Sequence, residues 1–225
     1  MLVALRRTWL LAGTTAVVLA TALTLLLQGG ATGADGERCA RFAAQSQVRE
    51  RLVTGHGQRV VVIGDSYSVG LGLRDPESSW PSRLPGRVHV FGFSGSGFSA
   101  HASPCRDVAF DVREAHALSA GASLVVVEGG LNDFNRPAGE VRAGFRSLMH
   151  ALHGRDVLVV GPPRAPTRAD GAAQVDAILR AESARAGVRY LSMIDGLFPY
   201  LDDGLHLTPS GHRAFGSLVA AAVRG

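Results

Sequence analysis

Apolar and polar positions follow one another along this chain in two recurring forms. Five short runs are rich in Val, Ile and Leu: Arg59–Ile63, Val88–Phe91, Leu124–Val127, Val157–Val160 and Val188–Leu191. Between them lie longer stretches whose apolar residues return every three or four positions. Val141, Phe145, Leu148, Met149 and Leu152 do so between Gly139 and Leu152, and Val175, Ile178 and Leu179 between Ala172 and Ala186. The first form predicts strands buried on both faces, the second amphipathic helices. Helical character begins earlier, over Glu37–Val53, and Thr208-Pro209 opens a last helix with a cap residue followed by Pro at the first helical position. Strands alternating with helices make a parallel sheet covered on both sides, so the fold expected is three-layer α/β. Residues 58–225 are assigned to one such domain and residues 35–57 to a helical extension ahead of it; no repeat or second linker interrupts them.

The N-terminus is patterned differently. Met1–Arg7 carries Arg6 and Arg7 and no acid, and residues 8–27 contain no charge. A helix of that length rises about 30 Å, the thickness of a bilayer core. Two readings of residues 1–34 stay open: a signal peptide cut near the small residues Gly29–Ala34, or an uncleaved membrane anchor through residues 8–27. Both place the remainder on the extracytoplasmic side, secreted or anchored. Cys39 and Cys105 suit that compartment as a disulfide. Closing that loop is worth about 4 kcal/mol in the chain-entropy model.

Composition changes the picture in one respect. The net charge of +4 and the pI near 9.8 suggest a nucleic-acid binder. Yet all 23 basic residues are Arg, interleaved with acids as in Arg49-Glu50-Arg51, Arg74-Asp75 and Arg113-Glu114. No basic stripe forms, so no nucleic-acid partner is expected. The absence of Lys excludes Walker A loops, Schiff-base enzymes and Ser-Lys dyads. Of the histidines, His56, His89, His101, His116, His150 and His153 show no ligand spacing, and neither a metal nor a cofactor is expected.

Open α/β sheets bind ligands at the carboxyl ends of their strands. Gly64-Asp65-Ser66-Tyr67-Ser68 follows the first apolar run, Gly92-Phe93-Ser94-Gly95-Ser96-Gly97 the second and Gly129-Gly130-Leu131-Asn132-Asp133 the third. Asp203-Gly204-Leu205-His206 stands just before the last helix. A Ser on a Gly-rich strand-to-helix turn presents its hydroxyl at the mouth of a site. An Asp three residues before a His can hold that ring by Nδ1–H and leave Nε2 to face the Ser. Asn132 brings a side-chain N–H and Gly95 an unobstructed backbone N–H, with Gly97 as the alternative. Nucleophile, base, orienter and oxyanion donors are the parts acyl transfer requires. The offset selects Asp203 over its neighbour Asp202. Asp65 and Asp133 are expected to hold their loops by accepting backbone N–H bonds. Trp80-Pro81 is expected to begin a packing helix, with Trp80 lining the acyl pocket as the alternative, and His212 to lie on the surface of the last helix. Gly95–Ala100 fits G-x-G-x-x-A formally but follows the second strand instead of the first, and the G-x-S-x-G elbow is absent.

The four blocks in this order resemble the SGNH (GDSL) hydrolase family, over roughly Val60 to the C-terminus. Gly130-Leu131-Asn132-Asp133 matches its G-x-N-D block and Asp203-Gly204-Leu205-His206 its D-x-x-H block. Tyr67 stands where the family more often has Leu. The resemblance implies a flavodoxin-like, five-stranded parallel sheet and a metal-free serine esterase of the EC 3.1.1 type. Ser66 would be nucleophile, His206 base and Asp203 orienter, with an oxyanion hole from Ser66 N–H, Gly95 N–H and the Asn132 side chain. Short acyl, lipid or O-acetyl glycan esters are the expected substrates. The alternatives are an acyltransferase acting on cell-envelope glycans or lipids, and a non-catalytic glycan- or lipid-binding module.

Overall fold

The computed structural model describes residues 33 and 35–224. The chain divides into two compact units, Met1–Arg41 and Phe42–Gly225. In the first, residues 35–41 are helical. The apolar stretch 8–27, on which the signal or anchor readings rest, lies outside the described residues. Among the described residues no helix is long and apolar enough to cross a membrane. Both cysteines, Cys39 and Cys105, are disulfide-bonded.

The second unit begins with helix α1 (42–51) and carries strands β1 (Arg59–Gly64), β2 (Arg87–Gly92), β3 (Leu124–Glu128), β4 (Val157–Val160) and β5 (Arg189–Leu191). Helices α2 (Ser66–Val69), α3 (Phe110–Ala117), α4 (Ala138–Ala151), α5 (Ala169–Ala186) and α6 (Pro209–Arg224) connect or follow them. All five strands pair in parallel in the order β2-β1-β3-β4-β5. Each apolar run of the sequence became a strand. Side chains of a strand alternate between faces, and the runs fill two cores accordingly. Val60, Val62, Val88, Val90, Val126 and Val160 face Trp80, Phe215 and Val219. On the other face Val61, Ile63, Val125, Val127 and Val159 meet Phe98, Phe110, Phe145, Leu148 and Leu179. Full burial of one such side chain contributes about 1.5–3 kcal/mol.

Residues 42–57 pack within this unit: Thr54 exchanges backbone bonds with Val88, and Ser46 Oγ donates to Gly92 O at 2.6 Å. The α6 start is capped as its sequence suggests, Thr208 Oγ1 accepting from Gly211 N at 3.1 Å. Trp80 opens a 3-10 turn, Trp80–Arg83, and is wholly buried against Phe215. His212 is a correction. It is 1% exposed, not at the surface, because it lies on the stripe of α6 that also buries Phe215, Gly216 and Val219.

The strand order reverses direction between β1 and β3, which lie side by side although β2 intervenes in the chain. Crevices at such a point receive ligands. Ser66 follows β1 and Asn132 follows β3.

Candidate active site

Ser66 is the first residue of the one-turn helix α2. Asp65 fixes that turn: its Oδ1 accepts from Tyr67 N at 2.9 Å. The turn is tight, and Gly64 is where Ser68 and Glu128 crowd the backbone. Ser68 Oγ donates to Glu128 Oε2 at 2.6 Å beneath it. Burial raises the Asp65 carboxyl to about 6, against the Tyr67 N–H and the charges of Arg168, His206 and Arg113 that favour its ionised form. Burial, and then the nearness of Asp65, lifts Glu128 well above the usual carboxylate range. Two carboxyls so placed resist carrying charge together.

The second block is held by Arg113 of α3. Its guanidinium donates to Gly64 O at the end of β1, Phe91 O on β2, Ser96 Oγ and Val108 O. The two candidate glycines differ. Gly95 has φ +84°, a left-handed conformation open to Gly, and no crowding at its Cα. Gly97 lies against the third block, where a Cβ would stand 2.5 Å from Asp133 Oδ2. Asp133 accepts from Phe98 N at 3.0 Å and Ser99 N at 2.8 Å, so it joins the second and third blocks, as Asp65 holds the first. Burial raises its carboxyl to about 7 in spite of those two donors.

Asn132 lies in the 3-10 turn Leu131–Asp133. Its Nδ2 donates to Ser96 O at 2.8 Å and to Asp65 Oδ2 at 3.2 Å, which brings the ends of β1, β2 and β3 to one point. Its Oδ1 accepts from Arg168 Nη1 at 2.7 Å.

The fourth block forms a turn between β5 and α6. Asp203 Oδ2 lies 2.6 Å from His206 Nδ1, while its Oδ1 accepts from the N–H groups of Leu205 and His206 at 2.9 Å. Partial burial would raise this carboxyl; the ring and the two N–H groups outweigh it and hold the group below its ordinary value. The first and fourth blocks meet through Tyr67, whose Oη donates to Leu205 O at 2.5 Å and whose ring centroid is 6.5 Å from that of His206. Asp202, beside the pair, makes no such contact among the described residues.

Residues 62–214 match the model of the GDSL-like lipase/acylhydrolase family. The chain belongs to that family. It is thus a carboxylic ester hydrolase of SGNH/GDSL type. Comparison with curated proteins finds no match. Solved structures share the fold. A carbohydrate acetylesterase from Sinorhizobium meliloti is similar at 19% identity and TM-score 0.63, over 75% of this chain and 99% of that one. An inhibitor-bound aryl esterase from M. smegmatis is similar at 19% identity and TM-score 0.62, over the same shares of the two chains.

Within this GDSL hydrolase, sequence reasoning did not single out Arg168, Arg113, Glu128 or the tie made by Tyr67. Arg168 stands on the 3-10 turn Pro166–Arg168 ahead of α5, stacks over Phe134 at 4.8 Å and also donates to Leu131 O at 2.9 Å. No local pattern could reveal these roles, since apart from Val108, five positions before Arg113, the partners named lie 17 or more positions away. His212, though not part of the Asp203–His206 pair, packs beside it. Its Nδ1 accepts from Trp80 N at 3.3 Å, and its ring stands edge-on to Tyr67. Among the described residues no group of three or more His, Cys, Asp or Glu is arranged to hold a metal ion. A cleft of about 580 Å³ lies on Ile194–Tyr200 and Arg164, and its lining does not include Ser66, Asn132 or His206.

Proposed function

We propose that this GDSL hydrolase is an exported serine esterase that cleaves carboxylic esters of short acyl groups through Ser66, His206 and Asp203. The observation that carries the reading is the 2.6 Å contact of Asp203 with His206 Nδ1, in a turn joined to the Ser66 turn through Tyr67. A carboxylate on Nδ1–H leaves Nε2 as the basic nitrogen. As Ser66 Oγ attacks the ester carbonyl, Nε2 takes its proton. The C–O bond to the leaving alcohol then breaks, and His206 returns the proton to that oxygen. Water, deprotonated by the same nitrogen, releases the acyl group and restores Ser66. The N–H groups of Ser66 and Gly95 and the Asn132 side chain receive the oxyanion. The Asn132 hydrogen aimed at Asp65 over 3.2 Å is the weaker held of its two and the one an oxyanion can share.

Export rests on the charge-free residues 8–27 behind Arg6 and Arg7 and on the paired cysteines. Short acyl groups are favoured by the similarity to an acetylesterase and an aryl esterase.

The test is covalent labelling with an organophosphonate, together with turnover of p-nitrophenyl acetate. The wild type should react and turn over, and Ser66→Ala should lose both. Labelling that survives this substitution would remove Ser66 as the nucleophile. Asn132→Ala should lower turnover on the order of 10²–10³-fold, the usual effect of one lost oxyanion donor.

A further inference from the structure

An Asn side chain is nearly symmetric in shape, and its amide can be turned end for end in the same space. A donor at Asn132 is useful only if its nitrogen faces the reacting carbonyl. Beside the longer bond from Nδ2 to Asp65 Oδ2 at 3.2 Å, two closer neighbours decide the matter from opposite ends. Ser96 O is an acceptor and takes Nδ2–H at 2.8 Å. Arg168 Nη1 can only donate, and it meets Oδ1 at 2.7 Å. A flipped amide would set N–H against guanidinium and oxygen against carbonyl.

Arg168 is itself well fixed. Nη1 bonds Leu131 O on the same turn as Asn132, the guanidinium lies over the Phe134 ring, and the chain just before it is anchored elsewhere in the site. Thr167 N and Thr167 Oγ1 both donate to Gly204 O, at 3.2 and 3.1 Å, within the Asp203–His206 turn. One three-residue turn therefore grips the Asn132 turn with one residue and the Asp203–His206 turn with the preceding one.

We propose that Arg168 is a positioning residue for ester hydrolysis: it locks the Asn132 amide with Nδ2 toward the reacting carbonyl and, as a cation on Oδ1, strengthens Nδ2–H as a donor. This rests on the reading of Asn132 as an oxyanion donor. A positive charge on the oxygen of an amide draws electron density from its nitrogen, and hydrogen bonds in series reinforce one another. The effect belongs to the transition state, where negative charge develops on the carbonyl oxygen, so it is felt in kcat and hardly in KM.

The experiment is a double-mutant cycle of Arg168→Ala and Asn132→Ala on p-nitrophenyl acetate, with thermal midpoints measured for all four proteins. Arg168→Ala alone should lower kcat on the order of 10-fold, less than loss of the donor itself, with KM changed less than about threefold. In the Asn132→Ala background it should change kcat less than about twofold, because the group it acts through is gone. Millimolar guanidinium should restore part of the turnover of Arg168→Ala and none of that of the double variant. Arg168→Lys, which keeps a donor, should fall between wild type and Arg168→Ala. An equal loss of kcat in both backgrounds, or a loss that follows the thermal midpoint and resists guanidinium, would overturn the proposal while leaving Asn132 in place. Full turnover by Asn132→Ala would overturn the oxyanion reading and the proposal together.

Discussion

His212 is an imidazole held neutral by its surroundings. Burial, and then the charge of His206 nearby, draws it down to about 4 from the ordinary value near 6.5. Between these values the unfolded chain binds a proton that the folded chain refuses, so this residue's contribution to stability rises with pH across that window and is lost on acidification. The slope is about 1.4 kcal/mol per pH unit, or on the order of 3 kcal/mol over the interval. His212→Asn keeps an acceptor for Trp80 N and cannot be protonated. Urea denaturation at a series of pH values should show the wild type losing ground to this variant as pH falls from 6.5 to 4. A constant difference between the two would mean that His212 is solvated. The six-residue offset from His206 suggests a surface position, while the better signal was its i+3, i+4 and i+7 relation to Phe215, Gly216 and Val219. The loop-holding role of Asp65 was legible because an Asp bonding an N–H group of its own turn is a common device; Asp133 holds the loop after β2 instead of its own. The role of Arg168 was not legible, because Asn132 is 36 positions away and any Arg near a helix start reads as a solvated charge.

At the scale of elements, the turns that follow β2 and β3 are built as one piece. Gly97 O accepts from Phe110 N, and Asp133 spans from its 3-10 turn to the backbone of Phe98 and Ser99. Gly97 is required here by proximity. Gly97→Ala should push the Asp133 carboxylate away from its two N–H partners and cost about 1–3 kcal/mol, as overpacking usually does. Chemical denaturation reads this loss, and turnover should fall with it because Asn132 is the residue before Asp133. The same substitution at Gly139, whose Cα faces open space on α4, should be neutral or mildly stabilising. The five strands and helices α4 and α5 were readable from periodicity and the start of α6 from its cap, with boundaries shifted by up to three residues. The contact between these two turns was not. It joins residues 34 and 35 positions apart, and only the sheet, by setting β1 between β2 and β3, makes them neighbours.

Across the whole unit from Phe42 onward, the sheet separates two cores that share strands but not side chains. Phe145 belongs to one and Phe215 to the other. Phe145→Leu and Phe215→Leu should each cost about 1 kcal/mol, and the double variant should lose the sum within about 0.5 kcal/mol. A marked excess would mean that strain passes through the strands. The three-layer class followed from apolar runs alternating with amphipathic stretches. The order of the strands came only with the family resemblance, since a run of Val has no mark of its neighbour. The tie between Tyr67 and Leu205 spans 138 positions. Its acceptor is a peptide oxygen, which every amino acid supplies. The side chain at position 205 therefore takes no part in this clasp, whereas the phenol at position 67 has no substitute among the aliphatic residues. A leucine at position 67 would leave the turn of the base without this latch.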